Sequence, residues 1–77
     1  QLIPLTLTDM DVGQLLDGLE QRRIVWQATA EWLETGTTAL SGMIEECANP
    51  HEAQAIADYY HCIINTIQNQ RDAQLNQ

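Results

Sequence analysis

Between Thr8 and Gly36 apolar residues recur at three- and four-residue intervals with no proline to interrupt them, and this predicts one long helix over residues 8–36. Both ends are written in the chain. Thr8 is a good N-cap, Asp11 three residues later is the acidic member of a capping box, and Leu7 can staple against Val12. Gly36 supplies the stop. Spacing residues at about 100° places Val12, Leu15, Leu16, Leu19, Trp26, Ala30 and Leu33 on one stripe, the expected core face. Arg23 falls inside that stripe, where a charge is costly unless paired. Ile24, Val25, Ala28 and Trp32 wrap the back, so the helix asks for cover on more than one side.

After Gly36, Thr37 and Thr38 offer a new N-cap, and Leu40, Met43, Ile44 and Cys47 repeat at helical spacing. A short second helix over residues 38–48 is expected. Gly42 weakens it and Pro50 ends it, because the residue before a proline avoids the helical region. Asn49 then caps a last helix over residues 49–70, with Pro50 at its first position and Glu52 three residues after the cap. Ala53, Ile56, Ala57, Tyr60, Ile63, Ile64 and Ile67 form its inner stripe, able to line the first helix antiparallel. Residues 71–77 are polar and read as a frayed, solvated tail. Residues 1–7 contain Pro4 and read as an extended arm with Ile3, Leu5 and Leu7 facing one way. The fold class that follows is all-α: an antiparallel hairpin of two long helices with a short intervening helix, a single domain over residues 1–77 that forms a dimeric helical bundle.

Size strengthens the dimer expectation, since a core built from 77 residues leaves only a few kcal/mol of stability unless something else contributes. The chain is 44% hydrophobic, too rich for a disordered protein. Eleven acidic residues against three basic ones give a formal charge of −8, which argues against direct binding to nucleic-acid phosphates and favours basic protein partners. No apolar run approaches the length needed to span a bilayer, and no secretory pattern opens the chain, so a cytoplasmic protein is expected. Cys47 and Cys62 are too few for a disulfide framework and read as free thiols.

Candidate chemistry is thin. Asp58 and His61 stand three apart, as in di-iron bundles, but projection turns both away from the stripe holding Ile56, Tyr60 and Ile63. Cys47, His51, His61 and Cys62 match no usual zinc spacing. No nucleophile elbow or glycine-rich phosphate loop is present. Catalytic, cofactor-binding and metal-binding residues are therefore expected to be none. Arg22 and Arg23 attract more interest: Glu20 can reach Arg23, Trp26 can receive Arg22 as a cation–π partner, and both arginines can meet carboxylates of a second copy. The expected interface comprises Ile3, Leu5, Arg22, Arg23, Ile24, Val25, Ala28, Trp32 and Tyr59. The expected function is a small non-enzymatic protein-protein interaction or regulatory protein acting as a homodimer. The alternative is an acidic inhibitor or nucleic-acid mimic seated in a basic groove of another protein.

Overall fold

The computed structural model describes residues 1–36, 45 and 48–75. Two helices pack against each other, α1 over Asp9–Thr35 and α2 over Pro50–Leu75. The short helix expected over residues 38–48 falls almost entirely outside the described residues.

The capping chemistry predicted for α1 is present at both ends. The Asp11 amide donates to Thr8 Oγ1 at 3.1 Å, and the Thr8 amide donates to Asp11 Oδ2 at 3.3 Å, which satisfies two backbone donors that the first turn leaves open. At the other end Gly36 adopts φ 77°, and its amide donates to the Trp32 carbonyl at 2.7 Å. A side chain at that position would be strained, which is why a glycine ends the helix. Asn49 Oδ1 accepts from the Glu52 amide at 2.8 Å, and Pro50 opens α2 where no amide partner is needed.

The end of α2 differs from expectation. It continues to Leu75, beyond the expected stop at Gln70. Arg71, Ala73, Gln74 and Leu75 are all good helix formers with no breaker among them. Arg71 also gains a partner: its Nε donates to Asp9 Oδ1 at 2.8 Å, tying the last turn of α2 to the first turn of α1.

The inner stripe of α2 lies where the spacing places it. Ala53, Ala57 and Ile64 are buried, and Ile56, Tyr60, Ile63 and Ile67 are half-buried. On α1 the cover is uneven. Leu16 and Ala30 are buried, whereas Leu15 and Leu33, expected in the core, remain exposed. A single partner helix shields a narrow arc, and Leu15 stands about 100° from Leu16 around the axis. Ala53 is 0% exposed and Ala57 2%; these small side chains line the contact with α1. Leu16, Ala28, Ala30, Ala53, Ala57 and Ile64 are the buried apolar side chains among the described residues, mostly alanines, so each contributes little burial energy.

Candidate interaction surface

Among the described residues, three side-chain hydrogen-bonded pairs cross the hairpin in antiparallel order: Asp9 with Arg71, Arg22 with Tyr60, and Gln27 with Gln54. The last is a reciprocal amide pair. Gln27 Nε2 donates to Gln54 Oε1 at 2.8 Å, and Gln54 Nε2 donates back to Gln27 Oε1 at 3.0 Å. Gln54 Nε2 also donates to Asp58 Oδ1 at 2.9 Å. A carboxylate only accepts, so Asp58 fixes which end of the Gln54 amide is nitrogen, and that in turn fixes Gln27.

The arginines are engaged within the chain. Arg23 clasps Glu20 through two bonds, Nε to Oε2 at 3.0 Å and Nη2 to Oε1 at 2.5 Å. This forked bond to Arg23 holds the Glu20 carboxyl below its usual range, opposed by partial burial and assisted by the positive charge of Arg23 and by nearby His61. The same pairing raises Arg23, and it resolves the puzzle of a charge inside the core stripe. Arg22 takes a different aromatic from the one expected. Its Nε donates to the Tyr60 hydroxyl at 2.8 Å, and its guanidinium carbon lies 5.5 Å from the centre of that ring. Trp26 shares a helix with Arg22, whereas Tyr60 approaches from across the hairpin and brings a hydroxyl acceptor that an indole lacks. Tyr59 stands edge-on to Tyr60, with ring centres 6.2 Å apart.

The residues expected at an interface divide into three sets. Ile3, Leu5 and Tyr59 are well exposed, and Trp32 keeps 45% of its surface. Arg23, Ile24 and Val25 are half-buried, while Arg22 is exposed. Ala28 is buried at 3% and has almost no surface to offer a partner, which corrects its placement on an open back face. Its neighbour Thr29 is buried as well. Thr29 is 0% exposed, donates from Oγ1 to the Val25 carbonyl at 2.8 Å, and accepts from the Glu45 amide at 2.9 Å. The Glu45 backbone therefore lies against this side of α1.

Spacing alone passed over Thr29, Gln27 and Gln54. The available signal was polarity at positions bordering the apolar stripes, Gln27 beside Trp26 and Gln54 beside Ala53. Asp58 and His61 are both exposed, as projection placed them. Cys62 is a free, exposed thiol, and Cys47 lies outside the described residues. Among the described residues, no three His, Cys, Asp or Glu side chains gather in a metal-binding group, and no helix is long and apolar enough to cross a membrane. A small hollow lined by Gln21, Arg22, Val25, Trp26 and Glu45 encloses about 120 Å³, below the several hundred Å³ usual for a ligand pocket. A larger groove of about 570 Å³ runs between Leu5, Thr6 and Leu7 of the arm and Gln70, Ala73 and Gln74 of α2. No protein-family model matches the chain, and comparison with curated proteins and with solved structures finds no similar protein.

Proposed function

We propose that this chain is a small non-enzymatic interaction or regulatory protein that acts as a homodimer in the cytoplasm. The observation that carries the reading is the imbalance between cover and apolar surface. Leu2, Ile3, Leu5, Met10, Trp32 and Tyr59 stay open to solvent around a narrow, alanine-rich core. Two helices cannot bury both sides of a helix pair, and association supplies the missing cover. Light scattering at micromolar concentration tests it: twice the 8.7 kDa chain mass is expected, and 8.7 kDa overturns it.

The second reading, an acidic inhibitor or nucleic-acid mimic, draws on the charge distribution. Arg22, Arg23 and Arg71 all bond within the chain, and Glu20 and Asp9 are the carboxylates in ion pairs among the described residues. Most of the negative charge is thus free to face a basic groove. Salt separates the two readings by sign. Added salt screens repulsion between acidic copies and tightens a homodimer, whereas it weakens attachment to a basic partner.

A further inference from the structure

The segment ahead of α1 is built like a strand without a partner. Residues 1–8 form no helix, turn or bend, and among the described residues none of residues 1–7 makes a hydrogen bond. An extended backbone with open amides and carbonyls is a template for another chain. Leu2 is 96% exposed, Ile3 76% and Leu5 74%. Pro4 fixes its own φ and holds Ile3 in the extended region, so Leu2 and Ile3 run on outward from the hairpin. Beside the arm lies the groove of about 570 Å³ formed with Gln70, Ala73 and Gln74, and none of its lining side chains is ionisable. The flanking carboxylates are engaged or turned away: Asp9 pairs with Arg71, Asp11 accepts from the Thr8 amide, and Asp72 stands on the far side of α2 from Gln70, Ala73 and Gln74.

We infer that two copies of this chain exchange these arms, which pair antiparallel about a two-fold axis at Leu5 so that each arm enters the groove of the other copy. The inference rests on the homodimer reading and deepens it by moving the interface from the back of α1, around Ile24 and Trp32, to the arm end of the hairpin. Register identifies the occupant. Centred on Leu5, the pairing sets Ile3 opposite the partner's Leu7 and Leu5 opposite the partner's Leu5, so the apolar edge meets itself. With the amides of Ile3, Leu5 and Leu7 turned inward, Pro4, which has no N–H to give, falls on the outward phase with Thr6. Ile3, Leu5 and Leu7 then share one side of the strand, and Leu5 and Leu7 already line the groove. Charge agrees: residues 1–8 carry no ionisable side chain, so two chains of charge −8 meet there with least repulsion. Arm and groove lie on the same chain, and one two-fold axis therefore fills both grooves at once.

The test is sedimentation equilibrium on the full chain and two variants, Ile3→Asp and Trp32→Asp, with amide hydrogen exchange of the parent followed over the same concentrations. Both replaced side chains are exposed in the hairpin, at 76% and 45%, and circular dichroism checks that each variant stays helical. Ile3→Asp puts a carboxylate into both arm contacts and is expected to weaken dimerisation about a hundredfold. Trp32→Asp, near the other end of α1, is expected to leave the dimer within a few-fold of the parent. In the parent, the amides of Ile3, Leu5 and Leu7 should gain protection as the dimer forms, and the Thr6 amide should not. A dimeric parent that keeps its affinity in Ile3→Asp, loses as much through Trp32→Asp, or gains no protection along the arm overturns the exchange and leaves the homodimer reading standing. A monomeric parent overturns both.

Discussion

Replacing Thr29 with valine keeps the shape of a fully buried side chain and removes only its hydroxyl. Two bonds go with it, the one to the Val25 carbonyl and the one from the Glu45 amide. The Val25 carbonyl lies inside α1, where the helix ladder serves it, so its loss is minor. The Glu45 amide is the larger effect, because it has lost an acceptor. A buried unsatisfied donor costs about 1–3 kcal/mol, but Glu45 is exposed and water can partly replace the hydroxyl, which points to the low end, about 1–1.5 kcal/mol. For a domain of this size that lowers Tm by about 4–12 °C. Thermal unfolding followed by far-UV circular dichroism, at matched chain concentration, reads the shift. Thr29→Ser separates the causes. It keeps the hydroxyl and loses a methyl group worth about 0.8 kcal/mol, so it also melts earlier. Only valine should speed hydrogen exchange at the Glu45 amide. Unchanged Glu45 exchange in Thr29→Val, or a Tm equal to that of the parent, refutes the assignment of Thr29 as the acceptor that holds the Glu45 amide.

Gln54→Leu strands the Gln27 amide and should cost about 1–3 kcal/mol in urea unfolding, whereas the Gln27→Leu, Gln54→Leu double variant should recover part of that loss; additive losses would deny the pairing. Glu20 is held below its ordinary range, so its contribution is complete above its unfolded value near 4.5 and fades as the pH falls through the lower folded value. Because its side chain is 42% exposed, that contribution is under about 1 kcal/mol, and Glu20→Gln should lose it at neutral pH while matching the parent in strong acid, which flattens the acid limb of a stability–pH curve. Arg71→Ala should cost less than about 1 kcal/mol, since both partners of its ion pair are solvated, yet it should speed amide exchange in the last turn of α2; unaltered exchange there would deny the clasp.

The helices were legible because local rules specify them. The Thr8–Asp11 box, Gly36, and the Asn49–Pro50 start each act within a few residues, and the neighbours that satisfy them are adjacent in sequence. The inner stripe of α2 was legible for a similar reason: one helix covers one arc, and Ala53, Ala57 and Ile64 fall in its middle. Periodicity was blind to what depends on pairing register. Whether Arg22 meets Trp26 or Tyr60 depends on which turn of α2 lies opposite, and contacts such as the one between Gln27 and Gln54, whose polarity made them look like surface, belong to that register. Ala28 is buried within the chain, which spacing along α1 alone does not reveal. The stop at Gln70 was drawn from polarity, but polar residues with high helix propensity extend a helix readily when a contact such as Arg71–Asp9 holds its end.

The amide pair between Gln27 and Gln54 contains no titratable atom, while both arginine pairs do. Acid therefore dismantles the ionic contacts without touching the bonds that align the two helices. Near pH 4.2, where the chain carries no net charge, copies cease to repel while each hairpin keeps its register. Acidification should thus make this protein sticky before it makes it unfolded, and material collected by isoelectric precipitation should redissolve as aligned hairpins.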